Sequence, residues 1–347
     1  MIQAPKVYIV ILNWNGWKDT VECLESVFRL DYPNYRVVVC DNDSSDQSLN
    51  HIERWAQGLD PVEVDDSNPL KRLSSPNVPK PIAYSTYTAG GNGSAPTDGG
   101  NEPLILLPTG GNLGFAGGNN AGLRYVLEQG DADYVWLLNN DTVVEPAALS
   151  EMVLHSKALS GKGSPNTCGS LVCFYSDPEV VQAYGGATFN RWSGIASQTL
   201  GRFEKRDRMV NHEEVANSLN YITGCSWLLP IDFIASVGLM EERYFLYYEE
   251  IDWVTRSNGQ FKITYAPKSI IYHKEGSSIG SKTIRRAPSL LSEYYMTRSK
   301  VLFTLRFNPV AIPFVYLLST LQAVNRVRQG YPKNALAILK AILGMNR

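Results

Sequence analysis

The sequence predicts an α/β fold, with a mostly parallel central sheet flanked by helices and followed by a helical C-terminal tail. Three features predict it. Apolar, β-branched runs recur without polar alternation, as in strands covered on both faces. Helical-period stretches separate them, and four of the strand endings are polar. The first run is VYIVILNW (7–14), and in WKDTVECLESVFRL (17–30) Val21, Leu24, Val27 and Phe28 then fall at helical spacing. YRVVVCDN (35–42), PLILLP (103–108) and YVWLLNND (134–141) repeat the strand pattern. Residues 60–103 are so rich in Gly, Pro, Ser and Asn that most of them read as a long inserted loop.

At 347 residues and 44% apolar composition, the chain can bury a sizeable core. We expect one domain over 1–300, interrupted by the 60–103 insertion, and a basic, apolar helical tail over 301–347. The formal net charge of −2 hides a division. From Arg298 onward there are eight Lys or Arg and no Asp or Glu, which leaves 24 bases and 34 acids in the body. No nucleic-acid partner is expected. The five cysteines (23, 40, 168, 173, 225) are odd in number, contain no Cys-x-x-Cys pair and follow no signal peptide. A disulfide framework and a structural zinc site are therefore not expected, and a reducing cytoplasm fits. In the tail, PVAIPFVYLLSTLQAV (309–324) holds two prolines and falls short of the about 20 apolar residues a membrane span needs. Flanked by bases, it reads as a segment lying on an anionic membrane surface; the alternative is an amphipathic helix packed on the main domain.

Ligands of an open parallel sheet bind beyond the carboxyl ends of its strands, near the point where strand order reverses. At those ends the chain offers Asn13, Trp14 and Asn15; Asp41, Asn42 and Asp43; Asn112 and Gly114; and Asn140 and Asp141. Helix caps and turns use the same residue types, but four coincident tips point to one binding edge. GGNLGFAGGNNAGL (110–123) follows a strand and opens a helix, as a phosphate-cradling loop does. Its Gly111-x-x-Gly114-x-x-Gly117 spacing is not the dinucleotide fingerprint, so a nicotinamide enzyme fits poorly.

Taken in order, VYIVILNWNG, VVVCDNDSSDQS, GGNLGFAGGNNAGL, LLNNDTVVEP, YITGCSWLLP, FLYYEEIDWVTR and IIYHKEGSS resemble the family 2 glycosyltransferases of GT-A fold, in particular their bacterial rhamnosyltransferase-like branch. The resemblance covers residues 5–300 apart from the insertion and rests on the ordered series. It implies inverting transfer of a sugar from a nucleotide diphosphate to an acceptor hydroxyl, with Mg2+ or Mn2+ on the diphosphate and one carboxylate as base. By the same resemblance, Asp41 would accept the imide N–H of uracil or thymine, with Asn13 and Asn15 lining that pocket. Asn112, Gly114, Asn119 and Asn120 would approach the ribose and diphosphate. Asn139, Asn140 and Asp141 stand where many relatives carry Asp-x-Asp; Asp141 would be the main metal carboxylate, Asn140 would help bind the donor, and His273 would close the metal site. Glu250 occupies the place of the base, with its neighbour Glu249 as the alternative. Trp227 and Asp252 would lie on the acceptor side, and Arg298 would reach the donor diphosphate or an anionic acceptor.

The expected donor is dTDP-rhamnose, or another dTDP- or UDP-linked sugar. The expected acceptor is a lipid-linked saccharide at the inner face of the cell membrane, in cell-surface polysaccharide synthesis. Two other readings remain: a non-catalytic saccharide-binding subunit of the same fold, and a sugar nucleotidyltransferase. The latter calls for a basic Gly-rich loop after the first strand, where this chain has NWNGWKD.

Overall fold

The computed structural model describes residues 4–87, 102–161, 163–198, 201–274 and 289–346. In chain order the strands are β1 (Val7–Asn13), β2 (Tyr35–Asp41), β3 (Tyr84–Thr86), β4 (Leu104–Pro108), β5 (Tyr134–Asn139), β6 (Thr142–Val144), β7 (Asn166–Phe174), β8 (Val181–Tyr184), β9 (Gly186–Asn190), β10 (Ile195–Gln198), β11 (Tyr221–Ile222), β12 (Ser226–Pro230) and β13 (Lys262–His273). The helices are α1 (Trp17–Val27), α2 (Ser48–Gln57), α3 (Gly114–Gln129), α4 (Ala148–Ser160), α5 (His212–Ser218), α6 (Ile231–Val237), α7 (Glu249–Arg256), α8 (Leu290–Phe307), α9 (Ile312–Arg328) and α10 (Pro332–Ile342).

The main sheet runs β3-β4-β2-β1-β5-β12-β7-β13-β6, with β8 paired to β7. Its β3 to β5 block is parallel, β12 is antiparallel to both neighbours, and β13 is parallel to β7. β9, β10 and β11 form a separate antiparallel sheet. This is the mixed α/β arrangement expected from the sequence, and the absence of polar alternation has a direct cause. Ile9, Ile11, Val37, Val39 and Trp136 pack with Leu24, Val27 and Trp55, whereas the intervening Val10, Val38, Cys40, Val135 and Leu137 pack with Leu123, Val126 and Trp253. Both faces are therefore core, and each fully buried aliphatic side chain contributes about 2 kcal/mol through burial. The chain leaves β1 toward β2 on one side and returns to β5 on the other, so strand order reverses at β1.

Two expectations need correction. The first concerns residues 60–87, which are not a free loop: Leu70, Leu73, Val78 and Ile82 are buried, and β3 extends the sheet beyond β4. Buried Glu25 ties this segment to α2, accepting from Trp55 Nε1 at 2.8 Å, Val78 N at 2.7 Å and Lys80 Nζ at 3.0 Å. The remainder of the insertion, residues 88–101, lies outside the described residues. The second concerns the tail, because α8 crosses the expected 300/301 boundary and is fastened to the body. Ser299 Oγ donates to the Tyr244 and Leu246 carbonyls at 3.1 and 2.8 Å. Buried Glu293 then gathers α9 and α10 onto α8, accepting from Gln322, Arg326 and Asn334 at 2.7, 3.0 and 3.2 Å. Pro309–Arg328 is a 20-residue helical stretch of mean hydropathy 1.3, long and apolar enough to cross a membrane, contrary to the short-segment reading.

Candidate active site

β1 and β2 end level, with Asn13 opposite Asp41 in the parallel register. Asn13 Nδ2 donates to Asp41 Oδ1 at 2.7 Å, the Ser44 hydroxyl donates to the same oxygen at 2.7 Å, and Ser44 N donates to Oδ2 at 3.1 Å. Asn15, with φ of 51°, turns the next loop so that its Oδ1 accepts from Ser45 N at 2.7 Å. Asp41 is thus buried and held by its own chain. Of the roughly four lone-pair positions on a carboxylate these bonds use three, which leaves room on Oδ2 for one further N–H.

Asn42, one residue on, organises the Gly-rich loop. Its Nδ2 donates to Asn112 Oδ1 and to Gly114 O, both at 3.1 Å, and its Oδ1 accepts from Leu113 N at 3.0 Å. Gly114 has φ of 72°, and a Cβ there would lie 2.4 Å from the Phe245 carbonyl oxygen, so only glycine fits. Asn119 Nδ2 donates back to Phe115 O at 2.9 Å. Asn120 is turned elsewhere: it donates to Met240 O and Glu242 Oε1, both at 2.9 Å, and accepts from Met240 N at 3.0 Å. Its expected donor-binding role is corrected to a bracket between α3 and residues 240–242.

β5 lies on the other side of β1, with Asn139 opposite Leu12. At about 4.8 Å per strand spacing, its tip stands about 10 Å from that of β2. Asn140 Nδ2 donates to Thr20 Oγ1 at 3.0 Å and lies 3.4 Å from Asn13 Oδ1, so it braces the β1 end. Asp141 and His273 meet: Nε2 is 3.1 Å from Oδ1. On the far side of the ring Nδ1 is 3.1 Å from Gln182 Oε1. A neutral imidazole donating its Nδ1–H to Gln182 aims the Nε2 lone pair at a carboxylate oxygen, an arrangement relieved by a cation or a proton between them. One carboxylate and one imidazole fit a divalent cation whose remaining ligands are phosphate oxygens and water. Among the described residues no group of three or more His, Cys, Asp and Glu is placed to hold a metal alone.

The last wall comes from the turn before β12 and the start of α7. Asn139 N donates to Cys225 O at 3.0 Å, and Gly224 N donates to Glu250 Oε1 at 3.2 Å. The Cys225 thiol is pushed up to about 12, chiefly by burial, with the charges of Asp141 and Glu250 adding to it. A Cβ on Gly224 would come within 2.6 Å of Glu250 Oε1 and 2.9 Å of the Phe115 ring. α7 opens after left-handed backbone at Tyr247 and Tyr248, φ of 66° and 74°, a conformation that costs bulky residues energy and that clusters at functional sites. Glu249 is buried, and its Oε2 has no hydrogen-bond partner among the described residues. Burial first, then the neighbouring Glu250, holds the Glu249 carboxyl well above the usual range. Burial also raises Glu250, opposed by the Gly224 N–H.

Two acceptor-side residues are misplaced. Trp227 is fully buried, edge-on to Trp253 at 5.3 Å and to Phe233 at 6.1 Å; on β12 it faces the α3 side of the sheet. Asp252 is also fully buried, accepting from Arg256 Nε at 2.6 Å, Tyr244 OH at 2.9 Å and Arg306 Nη1 at 2.9 Å. It is a knot between α7 and α8. Arg298 is engaged with the Arg243 carbonyl at 2.8 Å. Conversely, the sequence reading placed Asn42 at the binding edge without giving it a role, and passed over Ser44 and Gly224, although each lies inside a quoted motif, and Gln182, which no local signal marks.

Residues 8–68 match the family described as Glycosyl transferase family 2. The chain is 27% identical over 163 residues to the low-salt glycan biosynthesis hexosyltransferase Agl10 of Haloferax volcanii, covering 46% of this chain and 48% of that protein. The match thus spans about half the length of that curated relative. Among solved structures, GalNAc-T7 with UDP, GalNAc and Mn2+ has a TM-score of 0.51 at 15% identity, covering 86% of this chain and 48% of that one. The mannosyltransferase PcManGT from Pyrobaculum calidifontis, in complex with GDP-Man and Mn2+, has a TM-score of 0.49 at 12% identity, covering 100% of this chain and 77% of that one. The first of these likenesses is one of fold.

Proposed function

We propose that this chain is a family 2 glycosyltransferase that transfers a sugar from a nucleoside diphosphate to a saccharide hydroxyl, in a single displacement with inversion. The observation that carries this reading is the convergence of Asp41, Asp141 with His273, and Glu250 on the carboxyl edge of the sheet, around the strand where order reverses. Asp41, with one acceptor position open, receives the imide N–H of a pyrimidine base. The loop shaped by Asn42, Asn112 and Gly114 lets the backbone come near the ribose and diphosphate. Asp141 and His273 would hold a divalent cation, Mn2+ or Mg2+, which when bound offsets negative charge on the leaving diphosphate.

Glu250 takes the proton of the incoming hydroxyl. It is favoured over Glu249 because it is the less buried of the two and is oriented by Gly224 N–H, whereas Glu249 is closed off. A raised carboxyl suits a general base, since basicity rises with pKa while the group is still ionised near neutrality.

The favoured donor is dTDP-rhamnose, from the motif resemblance, and the favoured acceptor is a lipid-linked saccharide in polysaccharide synthesis at the cytoplasmic membrane face. Support for membrane contact comes from α9. Val315, Ser319 and Ala323 are buried, Ala323 against Ala335 and Ile338 of α10, while Phe314, Leu317, Leu321 and Val324 are exposed, beside a tail with bases and no acids. A panel of dTDP-, UDP- and GDP-sugars with Mn2+ or Mg2+, read by binding and slow donor hydrolysis, tests this reading; no binding by any member would reject it.

A further inference from the structure

His273 is followed by a lysine whose side chain reaches across to α1. Lys274 Nζ donates to Asp19 Oδ1 at 2.6 Å and to Glu22 Oε2 at 2.5 Å. These acids are three residues apart on α1, so both carboxylates lie on one side of that helix. Lys274 N donates to Asp141 O at 2.9 Å, and His273 pairs with Thr142 in the β13–β6 register. Glu22 is braced in turn, its Oε1 accepting from Tyr175 OH at 2.6 Å. α1 therefore grips both halves of the Asp141–His273 pair. Thr20 holds Asn140, one residue before Asp141, and Asp19 with Glu22 holds Lys274, one residue after His273. The proposed chemistry uses none of these three charged groups.

We infer that Lys274 is a positioning residue, whose paired bonds to Asp19 and Glu22 fix the end of β13 so that His273 Nε2 stays opposite Asp141 and the pair keeps its affinity for a divalent cation. The inference rests on reading that pair as the cation site. Exposed ion pairs hold little, but here the three side chains are 15%, 22% and 9% exposed. Removing the lysine would take away the ammonium that these two largely buried carboxylates share and would free the strand end. Residues that orient metal ligands from behind are worth about tenfold or more in metal affinity.

The test compares wild type, Lys274→Met, Lys274→Arg and Glu22→Gln by electron paramagnetic resonance titration of Mn2+ in the presence of UDP. Nitrogen-15 signals of the His273 ring are followed in the metal-free protein. The expected result is Mn2+ affinity about tenfold weaker in Lys274→Met, moved His273 ring signals, and recovery of both in Lys274→Arg. Glu22→Gln, which keeps Asp19 as a partner, should fall between, and it supplies the comparison if Lys274→Met does not fold. Equal Mn2+ affinity or unmoved His273 signals in these folded variants would overturn the inference. A wild type that takes up no Mn2+ with UDP would instead overturn the cation reading beneath it.

Discussion

Asp141 Oδ1 and His273 Nε2 stand 3.1 Å apart although 132 positions separate them in the chain, brought together because β6, which starts directly after Asp141, pairs antiparallel with the end of β13. Asp141→Ala removes the only carboxylate of this pair. Calorimetry should then find nucleoside diphosphate binding that no longer gains from Mn2+, while any metal-independent binding at Asp41 persists. Full Mn2+-dependent binding in the variant would take Asp141 out of the site.

Glu250→Gln keeps the Gly224 contact, since an amide oxygen also accepts, but cannot take a proton. Turnover should fall by about 10²- to 10⁴-fold with donor KM little changed. Near-normal turnover would move the role to Glu249.

Gly224→Ala puts a methyl 2.6 Å from Glu250 Oε1. Because the groups it meets are side-chain ends, the fold should tolerate it, with Tm close to wild type. The displaced carboxylate should cost kcat about tenfold to hundredfold. A variant as active as wild type would show that the Gly224–Glu250 geometry is incidental.

The buried Glu249 carboxyl gives a stability prediction with a definite sign. Its folded pKa is raised above the unfolded 4.5, so the native state binds more protons between the two values, and stability falls as pH rises through that window. Glu249→Gln removes the penalty and should raise Tm at pH 8 but not at pH 4. Melting curves that shift equally at both pH values would contradict this.

On α9, Leu317→Glu with Leu321→Glu places two acids on the exposed apolar face. Sedimentation with anionic vesicles should show lost binding, with transfer to a soluble acceptor retained. Undiminished sedimentation would favour a protein partner for that face.

Much of this was legible in the sequence where the local pattern and the three-dimensional environment agree. The strand cores announce themselves because both faces of β1, β2 and β5 are buried, and Asp41, Asp141 and His273 lie in or beside strand ends, with Asn112 in the short loop that leads into α3. Trp227 and Asp252 were misread for a physical reason: a motif fixes neither which side of a strand faces the cleft nor whether an acid is already paired. The partners of Asp252 lie 8 residues before it and 4 and 54 residues after it, so no window on the sequence contains the knot. Residues 60–87 failed likewise. Leu70 and Leu73, and Val78 and Ile82, are buried by contacts with distant elements, as two isolated pairs broken by Pro76 and Pro79 and too short to form a periodic run.

The most direct measurement is a crystal structure of the protein soaked with UDP and Mn2+. The uracil should sit against Asp41, the ion between the diphosphate and the Asp141–His273 pair, and Glu250 across the cleft, facing the space left for a hydroxyl. Nucleotide bound away from the β1 end, or an ion that touches neither Asp141 nor His273, would contradict the proposed site.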